Sequence, residues 1–419
     1  ALHIIYPRIK TSLNNFTDFA GLFQKVLRKE STELPPDKLN ILIFNWRDTK
    51  HVWAGGAEVY VHQIAKRLVQ AGHSVTLFAG NDGKSQRLET VDGVQVIRRG
   101  GFYTIYFWAC IYYLFRIRGR YDVVIDCENG IPFLTPLFVR KPIFLLIFHV
   151  HREVFTKHLV APLALLARTI EELIMPFIYR DLPVLTISES SKKEITSLGI
   201  SDPDLISIIH PGITLPKQKT FTKTKHPSMC YVGRLKPYKN VDVALRAFKT
   251  VLETHPEAIF TIAGIGEWGS TLKRLAKELE IESNVVFLGK VSEQEKNELY
   301  ASQWIAVQPS MIEGWGITVI EANAYGTPVI ASKVKGLKDS VCDGETGILV
   351  PPGKPAELAQ AIEQLFSSKT KLKAYSKSAQ LWAKNFSWDN AAQKLETVLL
   401  NNLRKAHEYK GTYSMGLEK

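Results

Sequence analysis

The stretch EGWGITVIEANAYGTPVIAS, residues 313–332, carries two carboxylates, Glu313 and Glu321, around a Gly-Trp-Gly turn. Gly314 and Gly316 keep that loop small beside a bound molecule, a helix starts at Thr318 or its neighbours, and Gly326 ends it before Pro328. TPVIAS then reads as a short buried strand. Glu313 falls in the loop and Glu321 on the helix. Carboxylates accept hydrogen bonds from neighbouring hydroxyls, so one acid suits a sugar ring and the other a ribose. A general acid–base pair is the competing reading, and nothing in the stretch shows how either pKa would be raised.

The same loop–helix–strand rhythm extends in both directions. Apolar, β-branched-rich runs at 39–44, 74–79, 94–97, 122–126, 143–148 and 183–187 alternate with helical patterns. Ala57, Val61, Ile64, Ala65 and Leu68 recur at helical spacing, and Gly72 closes that helix. A second series follows at 228–233, 258–264, 284–289, 304–309, 327–332 and 347–352. Strands that read as buried on both faces, in two successive series, predict an α/β protein of two doubly wound Rossmann-like domains facing across a cleft. The expected boundaries are an extension over 1–38, a first domain over 39–214, a polar linker at 215–228, a second domain over 229–388 and a closing helix over 389–419. Open sheets of this kind bind ligands at the carboxyl ends of their strands.

Composition sets the outer limits. The 419 residues are 45% apolar and 22% charged, with a formal net charge of +12, as expected of a globular protein that meets an anionic partner. Nucleic acid, a phosphate-rich substrate and an anionic membrane surface all meet that condition. The four cysteines show no CxxC spacing and read as buried free thiols. The opening ALHIIYPRIK does not read as a signal peptide, and the most apolar segment, 102–115, is shorter than the roughly 20 residues of a membrane crossing.

Four motifs lie at strand ends. Gly55 and Gly56 precede the first helix, where a glycine pair lets backbone approach a phosphate or a sugar hydroxyl. Gly233, Arg234 and Lys239 follow the strand at 228–233; two cations beside a glycine turn clamp an anion rich in oxygens. A literal GxGxxG occurs at Gly264, Gly266 and Gly269, but the next strand ends in Gly289 and Lys290 instead of the acid that a dinucleotide ribose requires. His149 and His151 form an HxH without a third ligand, and Asp202-Pro-Asp204 reads as a turn, so no metal or other cofactor is expected.

VGRLKPYKN, AGIGE, FLGKVSEQEKNELY and PSMIEGWGITVIEANAYGTPVIAS, in this order, resemble the C-terminal domain of the family four retaining glycosyltransferases of the GT-B fold. The resemblance covers about residues 39–390. It implies a hexosyl transfer from a nucleoside diphosphate sugar, with uridine diphosphate glucose the expected donor, to a carbohydrate or lipid-linked hydroxyl acceptor, without a metal and without nucleic acid as a partner. By the same resemblance, Arg234 and Lys239 hold the diphosphate, Glu313 contacts the sugar and Glu321 the ribose. The backbone around Gly316, Ile317 and Thr318, next to Gly314 and Trp315, faces the phosphate; Lys290 and Val291 meet the base. Gly55 and Gly56 match the glycine loop, and His149, with His151 as its rival, matches a histidine near the reacting carbon. HPGI at 210–213 departs from the pattern, which often has asparagine before the glycine. A nucleotide-sugar-binding module without turnover and an NAD-dependent oxidoreductase are the alternatives.

Two segments pair apolar residues with basic neighbours. Residues 16–27 place Phe16, Phe19, Phe23 and Leu27 at helical spacing, and the aromatic run 102–115 is flanked by Arg98, Arg99, Arg116, Arg118 and Arg120. Either the two pack on the first domain, or they bring a cytoplasmic protein to the cytoplasmic face of an anionic membrane.

Overall fold

The computed structural model describes residues 37–148, 150, 165, 168–218 and 220–415. By its internal contacts the chain divides into two units. One holds the residues up to Thr186, Lys192–Ile208 and the residues from Ala392 onward; the other holds Ile187–Ser191 and Ile209–Ala391. The expected helix at 16–27, together with His149 and His151, lies outside the described residues.

The first unit is built on an eight-stranded sheet. Its strands are β1 (Asn40–Phe44), β2 (Ser74–Ala79), β3 (Leu88–Val91), β4 (Val94–Arg98), β5 (Val123–Glu128), β6 (Ile143–Ile147), β7 (Val184–Thr186) and β8 (Ile206–Ile208), in the order β3-β4-β2-β1-β5-β6-β7-β8. Every pair is parallel except β3 with β4. Helix α1 (Gly56–Gln70) buries Val61, Ile64, Ala65 and Leu68 of the stripe that its spacing predicts, with Tyr60 besides, while Ala57 is only half-buried. Phe44 sits at the centre of the core, with ring centroids 5.4 Å from Phe133 and 5.5 Å from Phe78. Truncating such a side chain to alanine costs about 3–5 kcal/mol.

The second unit carries a six-stranded parallel sheet: β9 (Ser228–Val232), β10 (Ile259–Ala263), β11 (Val285–Gly289), β12 (Ile305–Gln308), β13 (Val329–Ser332) and β14 (Gly347–Val350), ordered β11-β10-β9-β12-β13-β14. Helix α3 (Val241–Val251) buries Val241, Ala244, Leu245, Phe248 and Val251 against this sheet, whereas α2 (Ile105–Tyr112) belongs to the first unit. All six strand runs of the second series form strands. Part of the polar segment 215–228 is bound to this unit. Lys223 Nζ donates to the carbonyls of Tyr325 at 3.1 Å and Tyr300 at 3.3 Å, and burial draws its pKa down to about 7.

Two strands escape the sequence reading. Strand β3, LETV, is a short, partly exposed edge strand, joined to β4 through Asp92 and Gly93, both at positive φ as a tight hairpin turn requires. Strand β8 is three residues long.

Candidate functional site

In the second unit the chain leaves β9 to one side for β10 and β11, then returns to the other side for β12 to β14. The switch point therefore lies between the carboxyl ends of β9 and β12, where an open parallel sheet leaves a crevice. Gly233, Arg234 and Lys239 follow β9; Gln308 ends β12, and Ser310 and Glu313 follow it. The short 3-10 turn Pro237–Lys239 brings the Lys239 ammonium onto Glu313 Oε1. Gln308 Nε2 donates to the same oxygen at 2.8 Å and the Ser310 hydroxyl at 3.1 Å. Every hydrogen bond to Glu313 among the described residues thus falls on Oε1, leaving Oε2 open to a ligand. Burial pushes this carboxyl up, but Lys239 and the two neutral donors outweigh it and hold the pKa below the ordinary value.

Glu321 lies on α6, but two intervening helices come first in the chain: α4 (Gly269–Glu278) and α5 (Glu293–Ser302); α6 itself is Ile317–Ala324. Lys296, on α5, donates to Glu321 Oε1 at 2.8 Å and lies 2.9 Å from Glu293. Here burial dominates, so Glu321 is raised above the usual carboxylate value and Lys296 only partly offsets the rise. Lys290 and Val291 form the turn between β11 and α5, which is closed by a reciprocal cap between Ser292 and Glu295. That turn leads directly into the helix that carries Lys296.

Helix α6 starts from Gly316, at φ 82° and ψ 58°, a left-handed conformation that favours glycine. No side chain caps it, so the first amides, at Ile317 and Thr318, have no side-chain partner from the cap. The Trp315 side chain turns inward. Its ring is buried against His210, with centroids 4.4 Å apart, and against Phe386 at 5.4 Å, so the side chain packs the interior. Arg234 is exposed and reaches Tyr238 Oη at 3.2 Å.

The GxGxxG glycines have a local structural cause. A Cβ on Gly264 would stand 1.8 Å from the Gly233 carbonyl oxygen, and one on Gly266 would stand 2.1 Å from that of Leu235. The loops after β9 and β10 interlock, with Leu235 N donating to Ile265 O at 3.0 Å. These glycines let two backbones touch and position the Arg234 turn.

In the first unit, Gly55 and Gly56 stand at the start of α1. Gly55 is extended, at φ −144°, and its amide donates to Glu58 Oε2 at 2.6 Å. Nothing lies within 4 Å of where a Gly56 Cβ would be. The fold itself requires a glycine at neither position. Glu58 Oε1 accepts from Arg47 Nε at 3.0 Å and from Asn129 Nδ2 at 2.8 Å. Asp202 and Asp204 are exposed at a one-turn 3-10 helix, and no group of three metal-ligating side chains occurs among the described residues.

Sequence reading missed Lys296, Gln308 and Ser310. Gln308 ends β12 and Ser310 lies just beyond it beside the switch point, a position that topology marks. Lys296 had no such signal, because its partner is 25 residues away on another helix.

Residues 54–216 match the family model described as Glycosyltransferase Family 4, and residues 214–382 the model described as Glycosyl transferases group 1. The chain superposes on sucrose-phosphate synthase of Thermosynechococcus elongatus with a TM-score of 0.70, at 20% identity, covering 88% of this chain and 100% of the other. The fold is GT-B. HepE of Anabaena, solved with UDP and glucose, gives a TM-score of 0.68 at 19% identity, covering 86% of this chain and 99% of that one. Among curated proteins, D-inositol 3-phosphate glycosyltransferase of Rhodococcus jostii is 33% identical over 229 residues, which are 51% of this chain and 50% of the relative. An uncharacterised glycosyltransferase of Methanocaldococcus jannaschii is 30% identical over 243 residues, 52% of this chain and 60% of the relative. The chain thus spans about half the length of the curated relatives it matches.

Proposed function

We propose that the protein is a retaining glycosyltransferase. It moves a hexosyl group from a nucleoside diphosphate sugar, uridine diphosphate glucose first among candidates, to a hydroxyl of a carbohydrate or lipid-linked acceptor. The observation that carries this reading is the pair of Lys–Glu contacts in the second unit, Lys239 with Glu313 and Lys296 with Glu321. Each supplies a carboxylate that grips hydroxyls, and Lys239 also supplies a cation at the switch point. HepE has been solved with UDP-glucose, and the family models and curated relatives are named glycosyltransferases; these names support a nucleotide-sugar donor.

In the proposed reaction the bond from the anomeric carbon to the departing phosphate oxygen breaks. A bond from that carbon to the acceptor oxygen forms on the same face. Negative charge grows on the diphosphate, where Arg234, Lys239 and the first amides of α6 stabilise it. Glu313 Oε2 holds the sugar hydroxyls, and Glu321 holds the ribose diol. The acceptor proton passes to the departing phosphate oxygen, so neither acid has to shuttle it. His149 is the proposed group beside the reacting carbon. The Gly55–Gly56 turn offers backbone to the donor, which accounts for two glycines the fold does not need.

The test is release of free nucleoside diphosphate from UDP-glucose, with and without mixtures of carbohydrate and lipid-linked acceptors, after a thermal-shift screen of nucleotide sugars. Release that rises with acceptor is expected. A donor that stabilises the protein yet is never cleaved would make it a binding module, and no stabilising donor at all would overturn the reading.

A further inference from the structure

The first unit carries a surface that the proposed transfer does not use. Helix α2 (Ile105–Tyr112) continues through a π turn, Tyr113–Ile117. Ile105, Ala109, Tyr113 and Ile117 fall four residues apart, and all are buried in the core of that unit. On the outer side, Phe107 is 65% exposed, Trp108 41% and Phe115 78%. A helix that is apolar on every side belongs in an interior or in a non-aqueous medium, and here the outer side has neither. The preceding loop extends the surface. Tyr103 is 74% exposed, and the Phe102 ring joins those of Trp46 at 4.7 Å and Trp53 at 5.9 Å.

Among charged residues, the segment that forms this surface carries basic ones only. From Gly93 to Tyr121 the chain contains five arginines and no acidic residue. Arg98 is buried and bound to Asp48 and Glu89. Arg116, Arg118 and Arg120 are exposed and make no ion pair among the described residues. Arg99, its guanidinium 5.2 Å over the Tyr112 ring, and Arg116 border a groove floored by Trp108, Ile111, Tyr112 and Phe115.

We infer that this face sits on an anionic lipid bilayer, with Phe107, Trp108 and Phe115 in the acyl boundary and Arg99, Arg116 and Arg118 among the lipid phosphates. The exposed arginines select an anionic partner, and guanidinium forks match phosphate oxygens. The protruding rings need an apolar medium, which suits a fluid interface better than a soluble anion. The proposal does not depend on the transfer reaction, so either can fail alone. No helix among the described residues is long and apolar enough to cross a membrane, consistent with contact from one side.

The test is co-sedimentation of the full chain with vesicles of phosphatidylcholine alone and of phosphatidylcholine mixed with phosphatidylglycerol. Binding to the mixed vesicles at low salt, weakening at high salt, is expected. The double variant Phe107→Ser, Phe115→Ser should weaken that binding on the order of tenfold. The triple variant Arg116→Gln, Arg118→Gln, Arg120→Gln should weaken it at least as much and flatten the salt dependence. All five side chains are exposed, so circular dichroism should match the parent. No binding at low salt overturns the proposal, as does binding that neither variant reduces, which would move the contact elsewhere, residues 1–36 included. Light scattering that shows a dimer lost in the Phe107→Ser, Phe115→Ser variant would assign the face to a second copy, and overturns it too.

Discussion

Both units bring acidic side chains to the neighbourhood of their switch points, and the two units use those acids in opposite ways. In the first unit, β5 delivers Asp126, which accepts from Phe133 N at 2.9 Å, Thr135 N at 3.1 Å, the Thr135 hydroxyl at 2.7 Å and the Tyr179 hydroxyl at 2.5 Å. Both of its oxygens are committed, and the acid fixes the loop after β5. Glu58, at the head of α1, is likewise committed through both oxygens to Gly55, Arg47 and Asn129. In the second unit, Glu313 and Glu321 are each engaged through one oxygen, and each has a lysine beside it. An acid at a strand end is therefore not yet a binding residue. What marks one is a carboxylate held in place by part of its acceptor capacity, with the remainder unspent.

The sharpest way to break this contrast is to remove the cations. Lys239→Ala or Arg234→Ala should lower turnover by roughly 10²–10³-fold, because each removes a charge aimed at the developing diphosphate, while donor affinity falls less. Steady-state kinetics at saturating donor decides it. Turnover like the parent in both variants would remove the second unit's claim to the diphosphate.

A smaller effect separates the two acids. Glu321→Ala should weaken free nucleotide binding by about 1.5–3 kcal/mol, the worth of hydrogen bonds to a charged group, and Glu313→Ala should leave it within about tenfold. The second variant should instead lose discrimination between epimeric sugars. Calorimetry with the nucleotide alone, then kinetics with two donors, tests the division. Equal loss of nucleotide affinity in both variants refutes it.

Smaller again is the effect of Lys296, which acts through Glu321. Burial raises the Glu321 pKa and Lys296 opposes that rise, so Lys296→Met should raise it further. Nucleotide affinity that depends on the ionised acid should then fail at a higher pH on the acidic side, while Lys296→Arg keeps the parent profile. A calorimetric series between pH 5 and 8, a range of about the width over which such shifts act, is the measurement. An unmoved acidic limb in Lys296→Met would leave Lys296 a purely structural partner.

What was legible in the sequence follows the same physical division. The interior strands announced themselves because parallel strands are buried on both faces and must be apolar throughout. The edge strand β3 did not, since half-exposed LETV carries no such run; its Asp92-Gly93 turn was the available signal. Among the candidate residues, Arg234, Lys239, Glu313 and Glu321 were visible because glycine turns frame them at strand and helix ends. The burial of the Trp315 ring was not legible, because it depends on His210 and Phe386, each more than seventy residues away by the numbering. Lys296 was invisible for the same reason, and the aromatic run 102–115 showed its composition but not which side would be left outside.

The smallest expected effect falls on the first unit, where stability and activity should part. A glycine at the first position of a helix loses more conformational entropy on folding than alanine does, and Gly56 is the first residue of α1 with open space where its Cβ would go. Gly56→Ala should therefore leave stability unchanged or raise it by about 0.4–1 kcal/mol in urea unfolding. If the Gly55–Gly56 turn is open because a donor's backbone contact needs the room, the same variant should lose on the order of tenfold in kcat/KM, about the 1.4 kcal/mol that one weakened contact contributes. A more stable protein with the parent's kcat/KM would show that the open turn serves no ligand. The first unit's strand-end chemistry would then be scaffold throughout, and the contrast with the second unit would be complete.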